Sequence, residues 1–289
     1  MDYQGRIIRP PSEADSILLQ VTTGCSHNKC AFCGAYKDKR FSIKPDAIVL
    51  DDLAYAAEHY AFVRRLFLCD GDALIIPHAK LISLLETIRK RLPQITRVSS
   101  YASAKALAMK SDAQLKELRS AGLGTVYIGL ESGDNVTLEA MGKHGSASDI
   151  VLQGQRAGEA GMKRNVSVIL GLGGTARSME HARATGRALS KMNPEQAAAL
   201  TLMLVPGTPL FAMAEDGRFE LPDSQGMLRE LYELVVHTEL SKGLFFANHA
   251  SNYLPISARF PRDKQRILRQ IQNGLAGEEM LRPDSLRRL

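Results

Sequence analysis

From Ile17 to Val205 the apolar residues follow a repeating order, a short unbroken run and then a longer segment with helical spacing. Residues 17–22 and 66–69 read as buried strands. Between them Ile48, Val49, Leu53, Ala56, Ala57 and Tyr60, behind Pro45, predict a helix over 46–60. A helix over 79–91 carries Leu81, Ile82, Leu84, Leu85 and Ile88 and is closed by Pro93, after which 95–99 reads as a strand. Ser111 and Gln114 form a capping box for a helix that ends near Gly122, and strand 125–130 follows. Helix 147–160, strand 165–170, helix 178–191 and strand 198–205 complete six strand-and-helix units. Such a series argues for a parallel sheet covered by helices. Six units are too few for the eight-stranded barrel, so the expected class is α/β, a partial (βα)6 TIM-like barrel; a doubly wound sheet is the alternative. The alternation stops after residue 215. The expected organisation is therefore an extension over 1–16, the barrel over 17–215, and a mainly helical C-terminal extension over 216–289, with helices at 223–242 and 261–276.

In either architecture the chemistry belongs to loops at the C-terminal ends of strands. The loop after the first strand carries three of the chain's four cysteines, Cys25, Cys30 and Cys33, in the spacing Cys-x4-Cys-x2-Cys. Clustered thiolates are ligands for iron or zinc, and three of them leave a tetrahedral metal one ligand short. In a [4Fe-4S] cluster, with one ligand per iron, one iron would stay open. Two plainer readings compete: a zinc site completed by His27, and cysteines that are merely buried. His27 stands one residue from Cys25, too cramped for the usual separated zinc pairs, and buried cysteines have no reason to crowd into a polar, glycine-flanked loop.

With the aromatic Phe32 just before its last cysteine, this loop resembles that of the radical S-adenosylmethionine (SAM) superfamily. The commonest spacing there has three residues between the first two cysteines where this chain has four, a departure that bears on the branch more than on the superfamily. The resemblance implies a partial barrel, one [4Fe-4S] cluster on Cys25, Cys30 and Cys33, and SAM chelated to the open iron. It also implies an electron donor such as flavodoxin or ferredoxin, reductive cleavage of SAM, and a 5'-deoxyadenosyl radical that abstracts hydrogen from a substrate.

The remaining strand ends extend it. The second strand ends in Cys69-Asp70-Gly71-Asp72, an ordinary turn by composition. The family has a Gly-Gly-Glu-like motif there, so Gly71 would bring backbone close to the methionyl group and Asp72 would supply the charged acceptor. Cys69, inside the strand, reads as a core thiol. Ser99, Ser100 and Tyr101 end the third strand and could line the same mouth. The fourth ends in Gly129-Leu130-Glu131-Ser132-Gly133, similar to stretches in the elongator and methylthiotransferase branch whose acidic residue faces the cofactor, which makes Glu131 a cofactor contact. In the fifth, Ile169 and Gly171 are adenine-side candidates; the glycine-rich loop that follows lacks the lysine and spacing of a phosphate loop. The sixth runs through Val205 into Pro206-Gly207-Thr208-Pro209-Leu210, like the ending in oxygen-independent coproporphyrinogen oxidases, and would lie beside the nucleoside. Its prolines by themselves could simply turn the chain.

Composition narrows this little. At 45% apolar and 24% charged residues the chain reads as compact, and it has neither a signal-peptide pattern nor a run of 18 apolar residues, so a membrane location is not expected. Four cysteines without a secretory signal fit a reducing compartment, the cytoplasm. A net charge of +6 permits contact with an anionic cofactor or RNA without arguing for either. No second three-cysteine set is present, so no auxiliary cluster is expected. In the extension, Phe245 and Phe246 with Asn248, His249, Ser251, Asn252 and Tyr253 combine aromatic anchors with varied hydrogen-bonding groups, as a cap over a substrate cavity requires; His249 and Tyr253 are its candidate substrate-side residues. The expected function is radical generation from SAM acting on a small-molecule substrate. Alternatives are an RNA-modifying radical enzyme, motivated by eight Lys/Arg against four Asp/Glu over 259–289, and a non-enzymatic iron-sulfur or zinc protein.

Overall fold

The computed structural model describes residues 1–288, which divide into two compact units. The first holds residues 1–28, 35–128 and 156–164; the second holds 29–34, 129–155 and 165–288.

The first unit is built on a parallel sheet of β1 (Ile17–Gln20), β4 (Arg65–Cys69), β5 (Arg97–Tyr101) and β6 (Leu123–Glu131), the last three residues of β6 passing into the second unit. β2 (Thr22–Thr23) pairs antiparallel with β3 (Ser42–Ile43) beside the cysteine loop. The connections are helical: α1 (Asp46–His59), α2 (His78–Arg91), and after β5 a short α3 (Ala104–Ala108) and α4 (Asp112–Ser120). The capping box is present, Ser111 accepting from the Gln114 amide while the Gln114 side chain accepts from Ser111 N–H. Because strand side chains alternate, Leu66 and Leu68 face one way and Phe67 and Cys69 the other. The second face carries Leu18, Phe67, Tyr101 and Tyr127, their rings edge-on at 4.9 and 5.5 Å from Phe67, and the N-terminal segment covers it through Ile7.

Into the second unit β6 leads through α5 (Asn135–Ala140) and α6 (Ala147–Glu159) to β7 (Lys163–Leu170), residues 156–164 between them belonging to the first unit, then α7 (Gly174–Met192), β8 (Gln196–Thr201), α8 (Pro209–Glu215) and α9 (Ser224–Val236). β9 (Gly243–Ala247) continues the parallel pairing on β8, β10 (Ile256–Phe260) returns antiparallel to β9, and α10 (Lys264–Leu275) closes the unit. The alternation predicted from sequence is therefore present, with three differences. β8 ends at Thr201 and not near 205, because Leu202 makes a last ladder bond to Leu170 and the chain then turns through Pro206. α9 ends at Val236 because the Thr238 hydroxyl turns back onto Leu234 carbonyl and 243–247 is extended. Phe245 and Phe246, expected as cap anchors, sit inside β9. Phe245 is buried against Phe260 at 5.6 Å, so two strands stand within an extension expected to be mainly helical.

Candidate active site

The cysteine loop is anchored at both ends. In the first unit Gly24, in the left-handed region at φ 70°, donates its N–H to Asp70 Oδ2 at 3.1 Å and accepts from Gly71 N–H at 3.1 Å. Ser26, next to Cys25, donates to Asp72 Oδ2 at 2.5 Å. In the second unit Ala31 N–H donates to Met141 carbonyl, and Ala31 carbonyl accepts from Leu210 N–H at 3.0 Å. A side chain at Gly34 would stand 2.8 Å from Val205 Cγ1, so the end of the motif packs directly on the segment after β8. Cys25, Cys30 and Cys33 are unbridged thiols, partly exposed. Cys69 differs from them. It is fully buried, its thiol lies 3.7 Å from Phe67 carbonyl, and burial followed by the nearby Asp70 charge pushes its pKa far up. Among the described residues no three His, Cys, Asp or Glu side chains gather around one point as a single metal ion asks; a four-iron cluster, with one thiolate per iron, needs a wider set.

Asp72 is completely buried and already well occupied. Besides Ser26 it accepts from Ser103 Oγ at 2.9 Å and, through Oδ1, from Ser103 N–H at 3.0 Å, while Ser103 caps α3. A carboxylate has about four lone-pair sites, so one on Oδ1 remains for an incoming ammonium. Gly71 is bare because the Tyr36 ring lies there: a Cβ would stand 2.5 Å from it. Ser99 is buried on the face shared with Phe67 and Thr125, and neither its hydroxyl nor that of Thr125 has a hydrogen-bond partner.

In the second unit Glu131 has φ 62°, a conformation that costs a non-glycine residue of order 1 kcal/mol or more and that clusters at functional sites. Its carboxylate folds back into the space that Gly129 leaves, where a Cβ would lie 2.0 Å from Oε1, and pairs with Lys143 Nζ at 3.0 Å. Phe32 and Ile169 both pack on one apolar cluster with Ala31, Leu172, Leu202 and Leu210. Gly171, at φ 84°, lies under Met227 of α9. Arg177, beside the glycine-rich loop, commits its guanidinium to Asp134, at 2.8 Å through Nε and 3.1 Å through Nη2. Burial alone would raise the Asp134 carboxyl, but that pair and Thr137 outweigh it and hold it down at about 2.

The segment after β9 follows the end of a strand parallel to β8. Asn252 accepts from Thr201 Oγ1 at 2.7 Å and donates to Ala199 carbonyl, which places it at the C-terminal end of β8. His249 Nδ1 lies 2.9 Å from Ser251 Oγ, and burial followed by the Arg282 charge lowers its pKa. The Tyr253 hydroxyl donates to Asp284 at 2.8 Å and accepts from Arg287. Burial and the Asp284 contact push its pKa up to about 12, and the Arg287 guanidinium lies 4.1 Å over the ring.

Residues 19–184 match the radical SAM superfamily. The chain belongs to that superfamily. The curated relatives include heme chaperone HemW of Bacillus subtilis, 23% identical over 182 residues, which are 63% of this chain and 48% of the relative. Among solved structures, coproporphyrinogen III oxidase (HemN) from Escherichia coli superposes with TM-score 0.57 at 18% identity over 76% of this chain and 51% of its own. The radical SAM methyltransferase TsrM from Kitasatospora setae, with cobalamin and a [4Fe-4S] cluster bound, gives 0.56 at 20% identity over 70% and 39%. At those identities the structures show the fold alone, the α/β radical SAM partial barrel. This radical SAM chain spans about half the length of the curated relative it matches. Members of that superfamily bind a [4Fe-4S] cluster and SAM, and TsrM carries the cluster in its solved structure. Among the described residues no helix is long and apolar enough to cross a membrane.

Sequence reasoning missed Ser132, His181 and Glu230, three fully buried polar residues behind the Glu131 and Gly171 loops. A signal existed: Glu230 falls on the apolar stripe of α9 set by Met227, Leu231 and Leu234, where a charge needs a buried partner.

Proposed function

We propose that Cys25, Cys30 and Cys33 hold one [4Fe-4S] cluster at which SAM is cleaved reductively, in a barrel over 17–215 with 216–289 on its substrate side. The observation that carries this reading is the contrast among the thiols, three partly exposed and unbridged on one braced loop and the fourth buried in a strand. Held there, the cluster would pass an electron from a flavodoxin or ferredoxin to SAM, splitting it into methionine and the 5'-deoxyadenosyl group that would take hydrogen from a small-molecule substrate. Gly71 and the free lone pair of Asp72 face the methionyl ammonium; Ser99 and Glu131 contact the cofactor; Phe32, Ile169, Gly171 and Val205 enclose the nucleoside. His249 and Tyr253 belong to the substrate side, Tyr253 positioning the loop through Asp284 and Arg287. The expected compartment is the cytoplasm, where thiols stay reduced.

Anaerobically reconstituted protein given dithionite and SAM should release methionine and 5'-deoxyadenosine. Absence of 5'-deoxyadenosine from cluster-loaded protein overturns the proposal. The likeness to a heme chaperone favours a second reading, a tetrapyrrole carried as cargo. A heme titration followed in the visible spectrum separates the two, since a carrier binds heme without consuming SAM.

A further inference from the structure

Behind the Glu131 turn and the Gly171 loop lies a cluster of buried polar side chains, hydrogen-bonded to one another or to the backbone except between His181 and Glu230, which meet as an ion-pair contact, entirely within the second unit. Ser132 Oγ accepts from Asp134 N–H at 3.0 Å and lies 2.7 Å from His181 Nδ1. His181 Nε2 lies 3.0 Å from Ile169 carbonyl and 3.4 Å from Glu230 Oε1. A carbonyl only accepts, so Nε2 carries the proton and Nδ1 accepts from Ser132, an assignment made from the partners' chemistry. Glu230 Oε1 accepts the Gly171 N–H at 2.5 Å and Oε2 accepts from Ser178 Oγ at 2.5 Å. Ser132, His181 and Glu230 have no exposed surface.

Two bare glycines allow these elements to come so close. A Cβ at Gly133 would stand 2.2 Å from Ala184 carbonyl of α7, and one at Gly186 would stand 2.7 Å from Leu234 carbonyl of α9. A carboxylate buried in this way is costly unless hydrogen bonds satisfy it. Here the bonds are spent on Gly171 N–H at the end of β7 and on Ser178, while the charge faces His181 Nε2, whose ring joins Ile169 carbonyl to Ser132, the residue after Glu131.

We propose that Glu230, His181 and Ser132 are positioning residues for the nucleoside half of the SAM site. The C-terminal extension thereby sets the conformation of the loops that receive adenosine, in addition to lying on the substrate side. This rests on the reading above that Ile169, Gly171 and Glu131 face the cofactor. The ligand class is an adenine nucleoside; the methionyl half, assigned to Gly71 and Asp72, lies outside the relay.

The test compares cluster-loaded wild type, Glu230→Ala and Glu230→Gln, with affinities for SAM, 5'-deoxyadenosine and methionine measured separately by calorimetry under anaerobic conditions. Glu230→Ala should weaken SAM and 5'-deoxyadenosine about tenfold, the usual loss of a hydrogen bond to a charged group, with methionine affinity and iron content unchanged. Glu230→Gln keeps an acceptor for Gly171 N–H and should recover most of that loss. Wild-type nucleoside affinity in Glu230→Ala, or an equal loss for methionine, overturns the relay alone. If wild type binds neither SAM nor 5'-deoxyadenosine, the nucleoside placement falls and the relay with it. Should the alanine variant fail to fold, His181→Asn, too short to join Ser132 to Ile169 carbonyl, is judged the same way: selective nucleoside loss supports the relay and an even loss overturns it.

Discussion

Replacing Asp72 by alanine removes three hydrogen bonds at once, from Ser26 Oγ, Ser103 Oγ and Ser103 N–H. The two hydroxyls can rotate toward other acceptors, and each loses about 0.5–1.5 kcal/mol; the Ser103 N–H cannot, and a buried orphan donor costs about 1–3 kcal/mol. Lys110, whose pKa burial lowers and Asp72 supports, also loses its nearest compensating charge while its ammonium stays bound to Leu74 carbonyl at 2.7 Å. The sum is about 2–6 kcal/mol of stability, large against the usual margin of about 5–15 kcal/mol. Asp72→Asn keeps the shape and an acceptor for Ser103 N–H, and its amide can donate to both hydroxyls, so about 1–2 kcal/mol is expected. Anaerobic urea unfolding of the two variants measures this. The same variants then report on the cofactor: loss of the charged acceptor should weaken SAM by tenfold or more in both, and Asp72→Ala should also lower iron content, since Asp72 braces Ser26, the residue beside Cys25. Alanine within 0.5 kcal/mol of wild type would refute the bracing argument, and unchanged SAM affinity in both variants would remove Asp72 from the site.

Alanine at Cys25, Cys30 or Cys33 should abolish SAM cleavage, whereas Cys69→Ala should keep full iron content because its thiol is enclosed in β4; iron analysis showing a need for Cys69 contradicts this. Gly133→Ala drives a methyl into Ala184 carbonyl and should cost about 1–3 kcal/mol, read as a lower urea midpoint. His249 has a folded pKa below its ordinary 6.5, so as pH falls below that value the unfolded chain takes the proton first and stability declines until the folded pKa is passed. His249→Gln should flatten that decline, and an identical slope in the variant speaks against a half-buried imidazole kept neutral. Tyr253→Phe keeps the ring under Arg287 but loses two hydrogen bonds, so it should cost about 1–2 kcal/mol with SAM cleavage unchanged; a fall in uncoupled cleavage would move Tyr253 from the substrate side to the cofactor.

Periodicity and spacing alone determined the parallel α/β order, the Ser111 capping box and the cysteine loop, because each depends on residues within a turn or two of one another. The β9 and β10 strands were not legible: five-residue runs such as Gly243–Ala247 become strands only when β8 offers them a ladder. The same holds at the site. The sequence supplies Glu131 and Asp72 as carboxylates at strand ends, but which partners they hold depends on contacts from residues far away in the chain. Lys143 takes Glu131, and Ser26 and Ser103 take Asp72. Glu230 is the clearest case, a charge on an apolar helical stripe whose partner, Gly171 N–H, lies 59 residues earlier. Local pattern fixes which groups exist and on which element. Tertiary packing decides which of them meet, because a buried polar group takes its meaning from the donor or acceptor that the fold brings to it.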